Sequence, residues 1–230
     1  ASYFRALGAG NRYGLSARGL AVNTAISEPE EFPRFSAFWL ERPQPGQTQV
    51  TFYALLQSEP VAGAYKFALT PGQTTVMDVS VELFFRSDVE QLGVAPLTSM
   101  YLFGANDQGG FDDYRPRVHD SEALIVNTDQ ETLYRVLNNP PQLANSYFAA
   151  QSPRSFGLVQ RHRSFDDYLD AEARYELRPS LMVEPQGDWG DGTIRLIEIP
   201  SDLEGNDNIV AFWTYDRGFK AGDHTSFSYR

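Results

Sequence analysis

Strict alternation of apolar and polar side chains, interrupted at short intervals by turn residues, constrains this chain more than any other feature. Val79, Val81, Leu83 and Phe85 alternate with Ser80, Glu82 and Phe84. Successive side chains of an extended strand point to opposite faces, so such a segment buries one face and wets the other. Val50, Phe52, Ala54 and Leu56 repeat the pattern, and residues 64–69 read as a hairpin partner across the Glu59-Pro60 turn. Further strands are expected at 97–103, 123–128, 133–136, 157–161, 181–184, 193–199 and 209–215. The last is continuously apolar through Ile209-Val210-Ala211-Phe212-Trp213, which predicts burial on both faces. Helical patterns are scarce, with single turns expected at 88–92 and 165–173. Pro-Gly at 45–46 and 71–72, Gly-Gly at 109–110, Pro-Pro at 140–141 and Gly-Asp-Gly at 190–192 separate the runs. Many short strands with such punctuation predict an all-β protein, a large β-sandwich with few short helices.

At 230 residues the chain is long enough for one large all-β domain or two small ones. It shows no internal repeat, low-complexity tract or linker that would divide it. It opens at Ala1 within what reads as folded structure, and residues 226–230 read as a strand cut in mid-course, so the sandwich is expected to be incomplete at both ends. No stretch approaches the apolar length of a membrane helix. A formal net charge of −11 repels phosphate backbones and argues against nucleic acid and anionic membranes, whereas a neutral polymer meets no such penalty. There are no cysteines, which removes thiolate catalysis, disulfides and cysteine metal sites. Aromatic residues, 13% of the chain, suit either a β core or a groove in which rings stack on sugar faces.

The residue types narrow the chemistry further. His119, His162 and His224 are far apart and form no HxH or HExxH arrangement, so neither a metal site nor a cofactor is expected. No GxSxG elbow, P-loop or GxGxxG before a helix occurs. Carboxylates, aromatics and arginines remain, a set suited to glycoside cleavage. Asp120 ends the loop from Tyr114 to His119 and precedes a strand; Asp207 lies in the Glu204-Gly205-Asn206-Asp207-Asn208 turn that leads into the apolar strand. A carboxylate at the mouth of a buried strand would be partly desolvated, which raises its pKa and suits it to proton donation. Equally, Asp207 could cap its own turn and Asp120 could pair with Arg115 or Arg117.

Longer segments carry a resemblance. Ala1-Ser2-Tyr3-Phe4-Arg5-Ala6, the run from Tyr13 to Ala21, Glu31-Phe32-Pro33, Gly63-Ala64-Tyr65-Lys66-Phe67 and Pro96-Leu97-Thr98-Ser99-Met100 are similar to the OpgG/OpgD (MdoG) family of osmoregulated periplasmic glucan biosynthesis proteins. His119-Asp120-Ser121, Leu137-Asn138-Asn139-Pro140, Phe156-Gly157-Leu158, Arg178-Pro179-Ser180 and Asp207-Asn208-Ile209-Val210 continue the match in order along the whole chain. The resemblance implies a galactose-mutarotase-like sandwich, of which residues 1–230 would be the central and C-terminal part. The immunoglobulin-like domain that follows it in the family would lie outside this chain. It also implies a periplasmic location and action on β-1,2-glucan, by inverting hydrolysis of internal bonds, by transglycosylation or cyclisation, or as a non-catalytic glucan-binding factor.

Carried onto this sequence, the resemblance makes Asp207 the general acid and Asp120 the general base, with Glu204 and Tyr175 supporting the acid and the proton path. Tyr13, Arg18, Tyr114, Arg115, His119 and Trp189 are the candidate substrate-binding residues. Trp39, between Phe38 and Leu40, could also offer a ring face but is expected as core, and Trp189 sits in an expected turn as either platform or packing. The expected partners are a β-linked glucan polymer, a membrane glucan synthase as a functional link, and a second copy in a homodimer.

Overall fold

The structure is a computed structural model and describes residues 2–230. Its two large sheets are antiparallel. The first runs in the order Arg34–Leu40, Val50–Gln57, Val61–Thr70, Val76–Phe85, His224–Tyr229, Pro185–Gln186. The second runs in the order Tyr3–Phe4, Ser16–Arg18, Leu92–Ser99, Ile209–Tyr215, Asp191–Glu198, Ala144–Gln151, with Leu20–Val22 also paired to Leu92–Ser99. A four-stranded sheet (Thr132–Val136, Ala123–Asn127, Ser155–Val159, Leu181–Val183) extends the layers, and Tyr101–Phe103 pairs with Val118–His119 beside it.

The alternation does what period-2 geometry requires. Val79, Val81, Leu83 and Phe85 are buried, while Ser80, Glu82 and Phe84 face outward. The buried set shares one core with Ala54, Leu56, Tyr65 and Phe67 of its own sheet and with Leu20, Val94, Leu97, Ile194, Leu196 and Trp213 of the other. Two sheets burying their inner faces against each other make a β-sandwich. Tyr65 crosses between the layers, its hydroxyl donating to the Gly19 carbonyl at 2.9 Å. The hairpin of Val50–Gln57 and Val61–Thr70 forms with Gln57 opposite Ala62.

Ile209–Tyr215 is covered on both faces. Ile209, Ala211 and Trp213 enter the main core, while Phe212 packs on the outer side with Ala21 and Ile197. Its partner Leu92–Ser99 carries a bulge: Ala211 pairs with Leu97 but Trp213 with Val94, and buried Ala95 adopts φ +48°. An extra residue of this kind bends and twists a strand.

Several expectations shift. The run at 97–103 is two strands, because the chain leaves the large sheet at Met100, whose carbonyl accepts the Asp120 N–H at 2.8 Å. Residues 88–92 form no helical turn; Val89 bridges to Phe219 through two backbone hydrogen bonds instead. Only Phe165–Asp167 of the 165–173 segment is helical, a single 3-10 turn capped by Ser164 and Asp167. Strands Arg34–Leu40 and Ala144–Gln151 lie outside the sequence expectation, and Trp39 on the former is exposed rather than core.

Candidate functional site

Strands Leu92–Ser99 and Ile209–Tyr215 run antiparallel side by side, the first ending and the second beginning at one end of the sandwich, where Ile209 pairs with Ser99. There Asn208 is buried and its side-chain amide clamps Tyr101. It accepts the Tyr101 N–H at 2.8 Å and donates to the Tyr101 carbonyl at 2.9 Å and the Ile199 carbonyl at 3.1 Å. The clamp fixes where the preceding residue, Asp207, leaves the strand. Asp120 arrives at the same end through its N–H on the Met100 carbonyl, and the neighbouring Ser121 and Ser99 hydroxyls are 2.8 Å apart. Two residues 87 positions apart in sequence are thereby held at one sheet end.

Their surroundings differ. Asp120 is 4% exposed. Burial pushes its carboxyl up to about 6, against the pull of the Arg178 guanidinium that donates to Oδ1. The negative charge of Asp207 adds to the rise and the positive charge of Arg5 opposes it, which puts both groups within electrostatic reach of Asp120. Arg178 lies over the Tyr175 ring, 4.4 Å from its centroid. The Tyr175 hydroxyl donates to Glu204 Oε2 at 3.0 Å, and burial raises the phenol's pKa. Asp120, Arg178, Tyr175 and Glu204 are therefore linked in one continuous network, and Glu204 sits in the same turn as Asp207.

The Asp207 side chain is 43% exposed and accepts from Arg18 at 3.1 Å. The desolvated mouth expected at this position is not found: the turn projects Asp207 outward from the buried strand. Arg18 also donates through Nε to the Thr98 hydroxyl at 3.1 Å. Thr98 is in turn 2.9 Å from the Ser16 hydroxyl, so Arg18 is anchored to the sheet.

Of the expected sugar-binding residues, Arg18, Tyr13 and Tyr114 lie at the surface or rim, with Tyr13 67% and Tyr114 79% exposed. Arg115 is differently disposed. Its guanidinium is shared by Asp113, Asp170 at 2.6 Å and Glu204 at 2.8 Å, so it organises carboxylates rather than standing free for sugar. His119 is a correction. It is buried, held at 2.8 Å by Gln160 and stacked on Tyr101, and burial lowers its pKa to about 4, so it is a neutral core imidazole. Trp189 is a second correction. It is 4% exposed, packs on Trp213, Phe227 and Tyr229, and donates its indole N–H to the Ser228 carbonyl. Its backbone N–H also donates to the Ser152 hydroxyl at 3.2 Å, just past Ala144–Gln151, and it precedes Asp191 at the end of the sheet opposite Asp207: Gly192 pairs with Tyr215 where Glu198 pairs with Ile209.

Arg178 was not among the expected site residues, although its segment carried part of the resemblance. Its partner is 58 positions away, beyond what local sequence signals reach. No helix among the described residues is long and apolar enough to cross a membrane.

Comparison with known proteins supplies the family. The family described as "Periplasmic glucan biosynthesis protein, MdoG" matches residues 1–230. The chain belongs to the MdoG family. It is 61% identical over its whole length to Glucans biosynthesis protein G of Cereibacter sphaeroides, covering 43% of that protein. It is 52% identical to the protein of the same name from Pseudomonas entomophila, covering 40% of it. This MdoG chain thus spans less than half the length of these curated relatives. Among solved structures, the galactosidase domain of an alpha-galactosidase-sucrose kinase is similar over 99% of this chain and 31% of its own, at 9% identity and a TM-score of 0.46.

Proposed function

We propose that this chain carries the cleft of a periplasmic glycoside hydrolase that cleaves internal bonds of β-1,2-glucan with inversion. The observation that carries the reading is the convergence of Asp120 and Asp207 at one sheet end with unlike environments, one buried and raised to about 6, the other projecting to the surface. Two carboxyl groups flanking a sugar linkage are what inverting hydrolysis requires.

Asp207, protonated, gives its proton to the glycosidic oxygen as the bond to the anomeric carbon breaks. A water attacks that carbon from the opposite face, and its proton passes to Asp120, so one proton leaves the acid and one reaches the base. A base whose pKa lies near 6 is well matched to proton transfer near neutral pH. For Asp207 to hold a proton its contact with Arg18 has to give way, and sugar hydroxyls reaching the rim offer that guanidinium other acceptors. Because Asp120 is nearly closed to solvent, the attacking water's proton reaches it through a relay. The Tyr175 hydroxyl, which donates to Glu204 and retains an acceptor lone pair, is suited to anchor that relay.

The same burial favours one second reading, in which an incoming sugar hydroxyl replaces water and the chain is transferred or cyclised. Incubation with linear β-1,2-glucan followed by product analysis separates the two: new reducing ends report hydrolysis, and lengthened or cyclic products report transfer. Asp207→Asn is expected to lower either activity by about 10²- to 10⁴-fold with the fold intact. If that variant processes glucan like the parent, Asp207 is not the acid; if the parent leaves glucan unchanged, the catalytic account is wrong and a glucan-holding role remains.

A further inference from the structure

We propose that Tyr13, Arg5, Tyr3 and Arg18 form a polymer track leading away from Asp207, which holds glucosyl units on one side of the linkage to be cleaved. The proposal rests on the functional reading above and adds to it a direction, new residues and a chain-length dependence.

The track follows from strand geometry. Tyr3 and Arg18 are directly opposed in the antiparallel pair of Tyr3–Phe4 and Ser16–Arg18. Opposed residues share a face and lie in contact range, and the Arg18 guanidinium is 5.4 Å from the Tyr3 ring centroid. Arg5, two residues after Tyr3, returns to the same side, 5.0 Å from that ring and 5.5 Å from the ring of Tyr13. Rings and guanidinium groups therefore alternate from Tyr13 to Arg18, and Arg18 ends on Asp207. Three successive contacts of 5.0–5.5 Å thus join Tyr13 to Arg18.

The chemistry suits a neutral polyol. Tyr3 is 54% and Tyr13 67% exposed, so both rings offer surface in a row that ends on a carboxylate. The Arg5 Nε donates to the Leu15 carbonyl at 3.3 Å, which orients the group, while its two terminal nitrogens make no hydrogen bond to the described residues. They present donors to sugar hydroxyls, and the adjoining rings hold the guanidinium plane by cation–π attraction. Pre-ordered donors of this kind lose little freedom when a ligand arrives. Arg5 also acts electrostatically on Asp120, which keeps the track alongside both carboxylates rather than remote from them.

The test is affinity as a function of chain length, measured by calorimetry on the protein with linear β-1,2-linked glucooligosaccharides running from a trimer to chains several times longer. The parent is expected to bind tighter as the oligosaccharide lengthens. In Tyr13→Ala and Arg5→Gln that gain is expected to be lost, leaving long chains roughly tenfold weaker while the trimer is little affected. Tyr13→Phe, which keeps the ring over Arg5, is expected to retain the gain. Folding of each variant is checked by its thermal unfolding midpoint, and exposed Tyr13 supplies the variant least able to disturb the core. If the parent gains affinity with length and both variants gain it equally, the track is wrong while the glucan reading stands. If the parent binds none of the series, the glucan reading and the track fall together.

Discussion

Asp120 couples the site to stability. Its ordinary value of 3.8 is raised to about 6 in the fold, chiefly by burial. Between those values the folded protein holds a proton that the unfolded chain has released, so this group makes stability fall as pH rises from about 4 to about 6. Each pKa unit corresponds to about 1.4 kcal/mol, so the fall amounts to no more than about 3 kcal/mol. Asp120→Asn, which cannot titrate, is expected to flatten that slope in urea midpoints measured at successive pH values; an unchanged slope would assign the titration elsewhere. On the proposed mechanism the same group gives the expected acid limb of kcat/KM for glucan, with activity rising through about pH 6 as Asp120 deprotonates. Both aspartates were readable as candidates from their motifs, but their environments were not. Sequence suggested a desolvated Asp207, whereas the turn points it outward and it is Asp120 that is buried. Nor could local sequence show that His119, next to Asp120, is consumed by Gln160 and Tyr101, or that Trp189 turns its indole inward.

At the scale of elements, the 199–208 segment matters most, because it carries Glu204 and Asp207. Asn139 and Ser201 tie its start reciprocally, with N–H···O distances of 2.7 and 2.9 Å. Arg115 and Tyr175 hold its middle through Glu204, and Asn208 holds its end. Removing the Asn208 amide leaves the buried Tyr101 N–H and carbonyl without that partner. Asn208→Ala is expected to cost about 2–4 kcal/mol in equilibrium unfolding. It should also raise amide exchange at Tyr101 more than in the strands of the other large sheet, and uniform exchange across both sheets would refute a local clamp. Strand-level reading succeeded where one face is buried and the other wet, as in Val76–Phe85 and Val50–Gln57. It missed the break at Met100, because apolar residues continue on both sides of the point where the chain changes sheets. It also assigned a helical turn to 88–92, where Val89 is recruited by Phe219 from across the molecule.

For the whole molecule, stability rests on two sheets closing over one apolar core, and Leu83 lies fully buried between them. Leu83→Ala is expected to cost about 2–5 kcal/mol, read as a lower denaturant midpoint with little change in slope. A loss well under that range would mean that the sheets relax to fill the space. The sequence by itself determined the all-β class, the principal strands, the doubly buried course of Ile209–Tyr215 and membership of the MdoG family. These are properties of local periodicity and of residue order, which a one-dimensional string carries in full. Only the tertiary structure decided that Asp120 meets Arg178, that Asp207 meets Arg18, and that Tyr3, Arg5 and Tyr13 line up beside them. Those pairings depend on strand register and on which ends of the sheets coincide, and register is settled by the packing of the entire sandwich rather than by any segment within it.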